Sequence, residues 1–246
     1  MSHRDYPIKN NRELSKPMDL MSIGFVGNVG TSRNWDYDDD FSSNLGWTHV
    51  STGNSISGNK LNFRLTRQPT FNGSYIPTND ADVFGANFSD TAFIIRFHAM
   101  NYSTISGTYG YSPILQAQRD GGDHSEASDD ALTAWCLTYT SGTHRFGAMT
   151  NDDATRTNNI ENTTWSTGTD YFIECIRNSA TEMRSTRSSS DSFSKDEHDV
   201  THTVPSTITG LKNITVQSDY AGGGSSRTNI GTIDRIQAMK EVNSAP

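Results

Sequence analysis

The chain has 246 residues and a mass of 27.1 kDa, which is long enough for one large domain with a sizeable core. Hydrophobic residues make up 33% and Ser plus Thr about 24%, a composition that argues against helical bundles, coiled coils and α/β enzymes rich in Ala and Leu. The net charge of −8 does not attract phosphate backbones, so nucleic acid is not an expected partner.

Residues 1–35 differ in composition from the rest of the chain. They carry Pro7, Pro17, several charges and one short apolar segment, but no apolar run of signal-peptide length. No stretch of the chain approaches the roughly 20 apolar residues of a membrane span. We predict an N-terminal extended arm over residues 1–35, or a floppy terminus, followed by one domain over residues 36–246. A chain of this kind either works inside a cell or reaches a surface by assembly into a virus particle.

Period-two alternation of apolar residues runs through the rest of the chain. In residues 91–100, Phe93, Ile95 and Phe97 fall on one side, which is the pattern of a half-buried strand. Similar segments lie at 60–65, 134–140, 170–177 and 212–218, with turn-forming clusters at 57–59, 72–74, 120–123, 151–153 and 222–225. The Ser-rich stretch 185–194 is either a loop or part of a strand. No helical stripe is evident, so the sequence predicts an all-β, two-sheet antiparallel sandwich.

The two cysteines, Cys136 and Cys175, do not have the spacing of a zinc site, which needs about four ligands. They form either one disulfide between neighbouring strands or two buried free thiols.

Four stretches resemble the concanavalin A-like lectin/glucanase superfamily, in particular the laminin-G-like modules of marine archaeal, bacterial and viral surface proteins. They are residues 39–47, similar to the first strand of the family, 170–181, similar to its long central strand, 204–211 (VPSTITGL), the most specific match, and 231–236, similar to the closing strand. The resemblance implies a jelly-roll sandwich over residues 38–242 in which the first and closing strands pair. It does not specify an activity, because this fold hosts enzymes, lectins and scaffolds.

Hydrolases of this superfamily place acidic residues at alternate positions of one strand, as in ExDxE, so that the carboxylates share a face about 5–9 Å apart. The chain has no such motif: Asp129 and Asp130 are adjacent, residues 195–199 are a consecutive charged run, and Glu174 stands alone on its strand. No nucleophile elbow, phosphate loop or HExxH motif is present. We therefore predict that the chain is not an enzyme and has no catalytic residues.

The resemblance also implies a calcium site, since the ends of the first and last strands often share a Ca²⁺ in such sandwiches. Calcium takes six to eight oxygen ligands, and Asp39 or Asp40 with Asp234 would supply carboxylates if these strands pair. The alternative is that the Asp cluster is a solvated turn before a strand.

Tyrosines in segments rich in Ser, Asn or Gly are candidates for glycan binding, because aromatic rings stack on the apolar face of a sugar while polar groups bind its hydroxyls. Five positions fit this description: Tyr75, Tyr102, Tyr109, Tyr111 and Tyr220. The alternative is that they are ordinary surface or core residues.

We predict from these features a non-catalytic structural or adhesive module on a virus particle or cell envelope, hence a virion or extracellular location. Its arm would add a strand to a neighbouring subunit, so its partners would be further copies of itself or other envelope subunits. The first alternative is a lectin-like, carbohydrate-binding module that recognises surface glycans. The second is a divergent glycoside hydrolase.

Overall fold

The computed structural model describes residues 35–49, 53–66, 73–77, 92–105, 110–119, 131–140, 143–152, 155–190, 198–217 and 228–239. These residues form fifteen strands: β1 (Tyr37–Asp39), β2 (Thr48–His49), β3 (Ser55–Ile56), β4 (Leu61–Thr66), β5 (Gly73–Pro77), β6 (Phe93–Ile105), β7 (Gly110–Gln118), β8 (Ala131–Thr140), β9 (Thr143–Asp152), β10 (Thr155–Thr164), β11 (Asp170–Ser179), β12 (Glu182–Ser188), β13 (His198–Thr203), β14 (Asn213–Gln217) and β15 (Thr228–Met239). Within these residues, no helix is long and apolar enough to cross a membrane.

The strands of the described part form two antiparallel sheets. One has eight strands in the order β13-β12-β11-β6-β15-β4-β3, with β1 also paired to β15. The other has seven strands in the order β10-β9-β8-β7-β14-β5-β2. This architecture confirms the predicted all-β, two-sheet antiparallel jelly-roll sandwich. The first and closing strands lie side by side, with Asp39 opposite Ile236, as the family resemblance implies.

Alternate side chains of each strand form the core between the sheets. On β6, Phe93, Ile95 and Phe97 are almost completely buried, and on the neighbouring β11 Ile173 and Cys175 lie in the same layer. Full burial of one such side chain contributes roughly 1.5–3 kcal/mol to folding. Because successive side chains of a strand point to opposite faces, the residues between these apolar ones must lie on the outside of the sheet.

Strand pairing determines the structure of two short polar segments. The predicted turn at residues 72–74 contains the start of β5, where Gly73 and Ser74 pair with β14. The first part of the Ser-rich stretch 185–194 lies in β12, paired on both sides with β11 and β13. Pairing with neighbouring strands of the sheet overrides the local turn preference of Gly and Ser in both cases. The predicted turns at 120–123 and 222–225, and residues 1–34 of the predicted arm, lie outside the described residues.

Cys175 is a free, buried thiol, so the disulfide alternative does not hold for it. Burial raises the pKa of this thiol to about 12, which keeps it protonated as a small apolar side chain of the core. Cys136 lies on β8 in the other sheet.

A buried carboxylate fixes the beginning of the sandwich. Asp39 is 1% exposed, and its Oδ2 accepts hydrogen bonds from the Tyr37 hydroxyl at 2.8 Å and Trp47 Nε1 at 2.7 Å. Its Oδ1 accepts a bond from the Phe41 backbone N–H at 2.7 Å. Burial, together with the nearby Asp39 charge, raises the pKa of Tyr37, so its hydroxyl remains a donor. The bonds from Phe41 and Trp47 join β1 to the loop that follows it.

We expect Asp39→Ala to lower the free energy of unfolding by about 3 kcal/mol, because it removes the acceptor of three buried hydrogen bonds. Asp40→Ala is the matched control, since Asp40 is exposed and accepts a bond from the Ser42 N–H at 3.0 Å. The free energy of unfolding should fall much less in Asp40→Ala than in Asp39→Ala. Urea denaturation of both variants measures the difference, and equal losses would contradict the role given to Asp39.

Candidate functional site

Polar side chains from six neighbouring strands lie in one line on the outer face of the eight-stranded sheet. In order across β13, β12, β11, β6, β15 and β1, this outer row consists of Asp199, Thr186, Glu174, Arg96, Gln237 and Asp38. Adjacent strands are about 4.8 Å apart, so five steps span about 24 Å. The row exists because each member alternates along its strand with core residues.

The centre of the outer row is an ion pair covered by an aromatic ring. Arg96 binds Glu174 through both Nε and Nη2, and the side chains are only 20% and 11% exposed. The guanidinium carbon lies 5.5 Å from the centroid of the half-buried Trp35 ring, which places a cation–π contact at this point. The centre therefore combines an aromatic surface with charged groups that neutralise each other.

Each end of the outer row carries another paired carboxylate. Asp199 accepts a bond from Arg184 Nη2 at 2.5 Å. Asp38 accepts two bonds from Arg235, at 2.9 and 2.7 Å, and one from Gln237 Nε2 at 2.9 Å. Burial raises the pKa of Asp38, but the bonds from Arg235 and Gln237 outweigh burial, and the pKa lies below its ordinary value. The carboxylates of the row are thus held as acceptors in fixed orientations.

A histidine cluster lies beside the row on the same face. His98 Nδ1 is 2.5 Å from Asp234 Oδ1, and His98 Nε2 is 3.9 Å from Asp170 Oδ1. The imidazole stacks on the Phe172 ring with centroids 4.3 Å apart. The hydrogen bond to Asp234 raises the pKa of His98, and the opposing effect of burial is smaller. The cluster can hold a proton at His98 next to the 51% exposed Asp170 carboxylate.

Three of the five predicted glycan-binding tyrosines belong to described strands, and each of these three lies on a different strand. Tyr75 is half-buried on β5, on the outer face of the seven-stranded sheet, between Thr48 and Thr215. Tyr102 and Tyr111 lie in strands β6 and β7 rather than in loops. Tyr109 and Tyr220 lie outside the described residues.

Two of the three carboxylates of the predicted calcium site, Asp39 and Asp234, point to different sides of the sheet. Asp39 points inward to Tyr37 and Trp47, whereas Asp234 lies on the outer face beside His98. Backbone hydrogen bonding from Ser42 holds the pKa of exposed Asp40 below its ordinary value. In the described part of the chain, no group of three or more His, Cys, Asp or Glu side chains could hold a metal ion. Calcium binding stays a prediction, and melting temperatures with and without calcium would check it.

Sequence reasoning missed the outer row and the histidine cluster, although part of the signal was present. Asp170 is the first residue of β11, so Glu174 does not stand alone on its strand; both lie on its outer side with Phe172 between them. A search for ExDxE does not find these two carboxylates, because Phe172 occupies the position between them where the motif requires Asp. Arg96 and His98 show the same alternation on β6, but their partners come from other strands and only the pairing register identifies them.

No family model matches the sequence, and no curated protein does. The fold is similar to that of solved structures. A GH43 protein of Bacillus licheniformis, the BlXynB mutant K247S, matches with a TM-score of 0.51 and 11% identity over 86% of this chain and 40% of that chain. Trypanosoma rangeli sialidase in complex with sialic acid matches with a TM-score of 0.53 and 12% identity over 84% of this chain and 31% of that chain. The CBM2 module of the evolved Dit of Lactobacillus casei BL23 phage J-1 gives a TM-score of 0.47 and 12% identity over 86% of this chain and 97% of that chain.

This chain therefore spans less than half the length of the GH43 and sialidase chains. At these identities the likeness shows the fold alone, and it agrees with the β-sandwich part of the family resemblance. It also corrects one prediction: the fold occurs in a glycoside hydrolase and a sialidase, so the prediction that the chain is not an enzyme is wrong. That prediction considered single strands, whereas the imidazole and the two carboxylates of the histidine cluster come from three different strands.

We expect the imidazole of His98 to titrate above its ordinary pKa of 6.5 and that of His202, whose pKa burial lowers, to titrate below it. The stabilisation from protonated His98 is then fully present below pH 6.5 and is lost as the pH rises through the folded-state pKa. NMR titration measures the pKa values of both histidines. Asp234→Asn should lower the pKa of His98 and leave that of His202 unchanged. A pKa for His98 at or below 6.5 in the unmodified protein would contradict the Asp234 contact.

Proposed function

We propose that this chain is a carbohydrate-binding module that holds an extended glycan along the outer row. The observation that carries the proposal is the partly exposed Trp35 ring beside a line of fixed polar groups from six strands. An aromatic ring offers a stacking surface for the C–H face of a sugar, while carboxylate, guanidinium and amide groups bind its hydroxyls. A row of about 24 Å accommodates an oligosaccharide rather than a single sugar.

The charges of the site favour a neutral glycan. Each carboxylate of the outer row is paired with an arginine, so neither sign is in excess, and the chain as a whole carries a net charge of −8. A polyanionic glycan would find no unpaired cation along the row and would be repelled by the protein as a whole. Sugar hydroxyls, in contrast, donate to carboxylates and accept from guanidinium groups without breaking the pairs.

The same pairs preorganise the site. Arg96, Glu174 and Asp38 are each held by more than one contact, so little side-chain freedom remains to be lost on binding. Each rotamer-rich side chain immobilised on binding costs about 0.5–1.5 kcal/mol, and a site built on paired strands avoids much of this cost.

Other parts of the sequence-based interpretation remain predictions beside this proposal. A glycan-binding module serves adhesion to a surface, so the adhesive part is compatible with the outer row. Display on a virus particle or cell envelope, strand addition by residues 1–35 and membership of the concanavalin A-like superfamily are further predictions. Assembly tests on a chain lacking residues 1–35 address the arm directly.

Hydrolysis of a bound glycan is a second candidate function, favoured by the histidine cluster. A glycosidic bond needs a proton donor and a carboxylate on one face, and protonated His98 lies 3.9 Å from the exposed Asp170 carboxylate. Release of reducing sugar that His98→Gln and Asp170→Asn both abolish would establish this activity. Binding without release would leave the outer row as a recognition site only.

We expect a glycan array to identify a neutral oligosaccharide ligand, and Trp35→Ala to weaken its binding about tenfold in calorimetry, because the stacking surface is lost. Tyr75→Ala is the matched control, since it removes a partly exposed ring from the opposite sheet. The control variant should bind as the unmodified chain does. Loss of binding in Tyr75→Ala with full binding in Trp35→Ala would place the site on the seven-stranded sheet and overturn the proposal.

A further inference from the structure

A polar cleft of about 500 Å³ lies at the β3 edge of the eight-stranded sheet. Residues 41–44, which follow β1, form one wall, and residues 54–59, which include β3 and the turn after it, form the other. The volume falls within the range of sites that bind small molecules, roughly 300–1,000 Å³. None of the residues that line this cleft belongs to the outer row or to the histidine cluster.

The first wall is held in an unusual backbone conformation. Phe41 has a φ of 57°, a left-handed conformation that is rare for a bulky residue and occurs mainly where the surrounding structure enforces it. Its N–H is bound by Asp39 at 2.7 Å. Asn44 closes the wall, because its amide accepts from the Trp47 N–H at 2.7 Å and donates to the Trp47 carbonyl at 3.1 Å. Ser43 is thereby presented to the cleft from a fixed loop.

The second wall is fixed in a similar way. Gly58 and Asn59 both have positive φ, at 62° and 55°. The Asn62 amide donates to the carbonyls of Ser57 and Lys60, each at 3.2 Å, and so closes this turn from outside the cleft. At the base, the buried Asn54 accepts from the Arg64 N–H at 3.0 Å. Both walls are thus shaped before any ligand arrives.

The lining indicates the chemistry of a ligand. Among the described residues it consists of serines, asparagines, one glycine and two apolar side chains, with no charged residue. The exposed side chains of Ser43, Ser55 and Asn59 take part in no hydrogen bond within the described part of the chain, so hydroxyl and amide groups are available there. Partly buried Ile56 adds an apolar contact. A charged ligand would find no counter-charge in this lining, whereas a neutral polyol would find donors, acceptors and an apolar surface.

We propose that this cleft binds a single neutral sugar residue, as a second site separate from the outer row. Ser43, Ser55 and Asn59 bind the hydroxyls of the sugar, and Ile56 contacts its C–H face. The proposal does not depend on glycan binding at the outer row, because the two sites share no residue.

The test uses the full chain and four probes: glucose, galactose, mannose and N-acetylglucosamine. Backbone amide shifts are followed by NMR up to tens of millimolar sugar. At least one sugar should shift the amides of residues 42–44 and 54–59 in a saturable manner. Ser43→Trp fills the cleft and should weaken binding at least tenfold. Ser206→Trp is the matched control, the same change at an exposed turn residue outside the cleft, and should leave binding unchanged.

Asn59→Gly provides a second variant, since glycine accepts the positive φ while the amide is removed. It should weaken binding about fivefold with an unchanged fold, even where Ser43→Trp disturbs the loop. Trp35→Ala should not change sugar binding in the cleft. Absence of glycan binding at the outer row and absence of sugar binding in the cleft are therefore separate, distinguishable results. The proposal is overturned if no sugar shifts these amides, if shifts appear only at the outer row, or if both cleft variants bind as the unmodified chain does.

Discussion

The alternation of side chains across the eight-stranded sheet is the constraint on which the rest of this structure depends. In residues 93–99 of β6 and 171–175 of β11 every second residue is apolar and buried in the core, so the residues between them have only the outer face available. Arg96 and Glu174 meet there because their strands pair in a register that the core residues determine. A shift of one residue would place these charges in the core and the apolar residues in water. The register that closes the core therefore also assembles the outer row.

The buried Asp39 carboxylate connects this sheet to both candidate sites. It sits between Asp38, which ends the outer row, and Phe41, which begins the first wall of the cleft. Its bonds to Tyr37 and Trp47 hold β1 against the core, and its bond to the Phe41 N–H directs the chain into the left-handed turn. A carboxylate that sequence reasoning assigned to a calcium site thus accepts hydrogen bonds from three protein donors. Its neighbours on either side are the residues that face outward.

The two sites differ in how they present polar groups. The outer row uses ion pairs on rigid strands, which suits a long ligand that crosses several strands and carries no net charge. The cleft uses uncharged hydroxyl and amide groups on two braced turns, which suits a compact ligand. The acidic surface of the chain is compatible with both, because neutral sugars are not repelled by it. Neither arrangement follows the single-strand ExDxE pattern that hydrolases of the concanavalin A-like superfamily carry.

The sequence by itself determined the fold class, because period-two alternation in segments such as 91–100 and 170–177 is a local property that leaves one side of each strand apolar. It also anticipated the pairing of the first and closing strands through the family resemblance. Only the tertiary structure decided which outward residues become neighbours: Arg96 and Glu174 are 78 positions apart, and His98 and Asp234 are 136 apart. Tertiary pairing also turned Gly73 into a strand residue and directed Asp39 inward, away from Asp234. Contacts of this kind depend on strand order and register, which are properties of the whole folded chain and are not contained in any short segment of it.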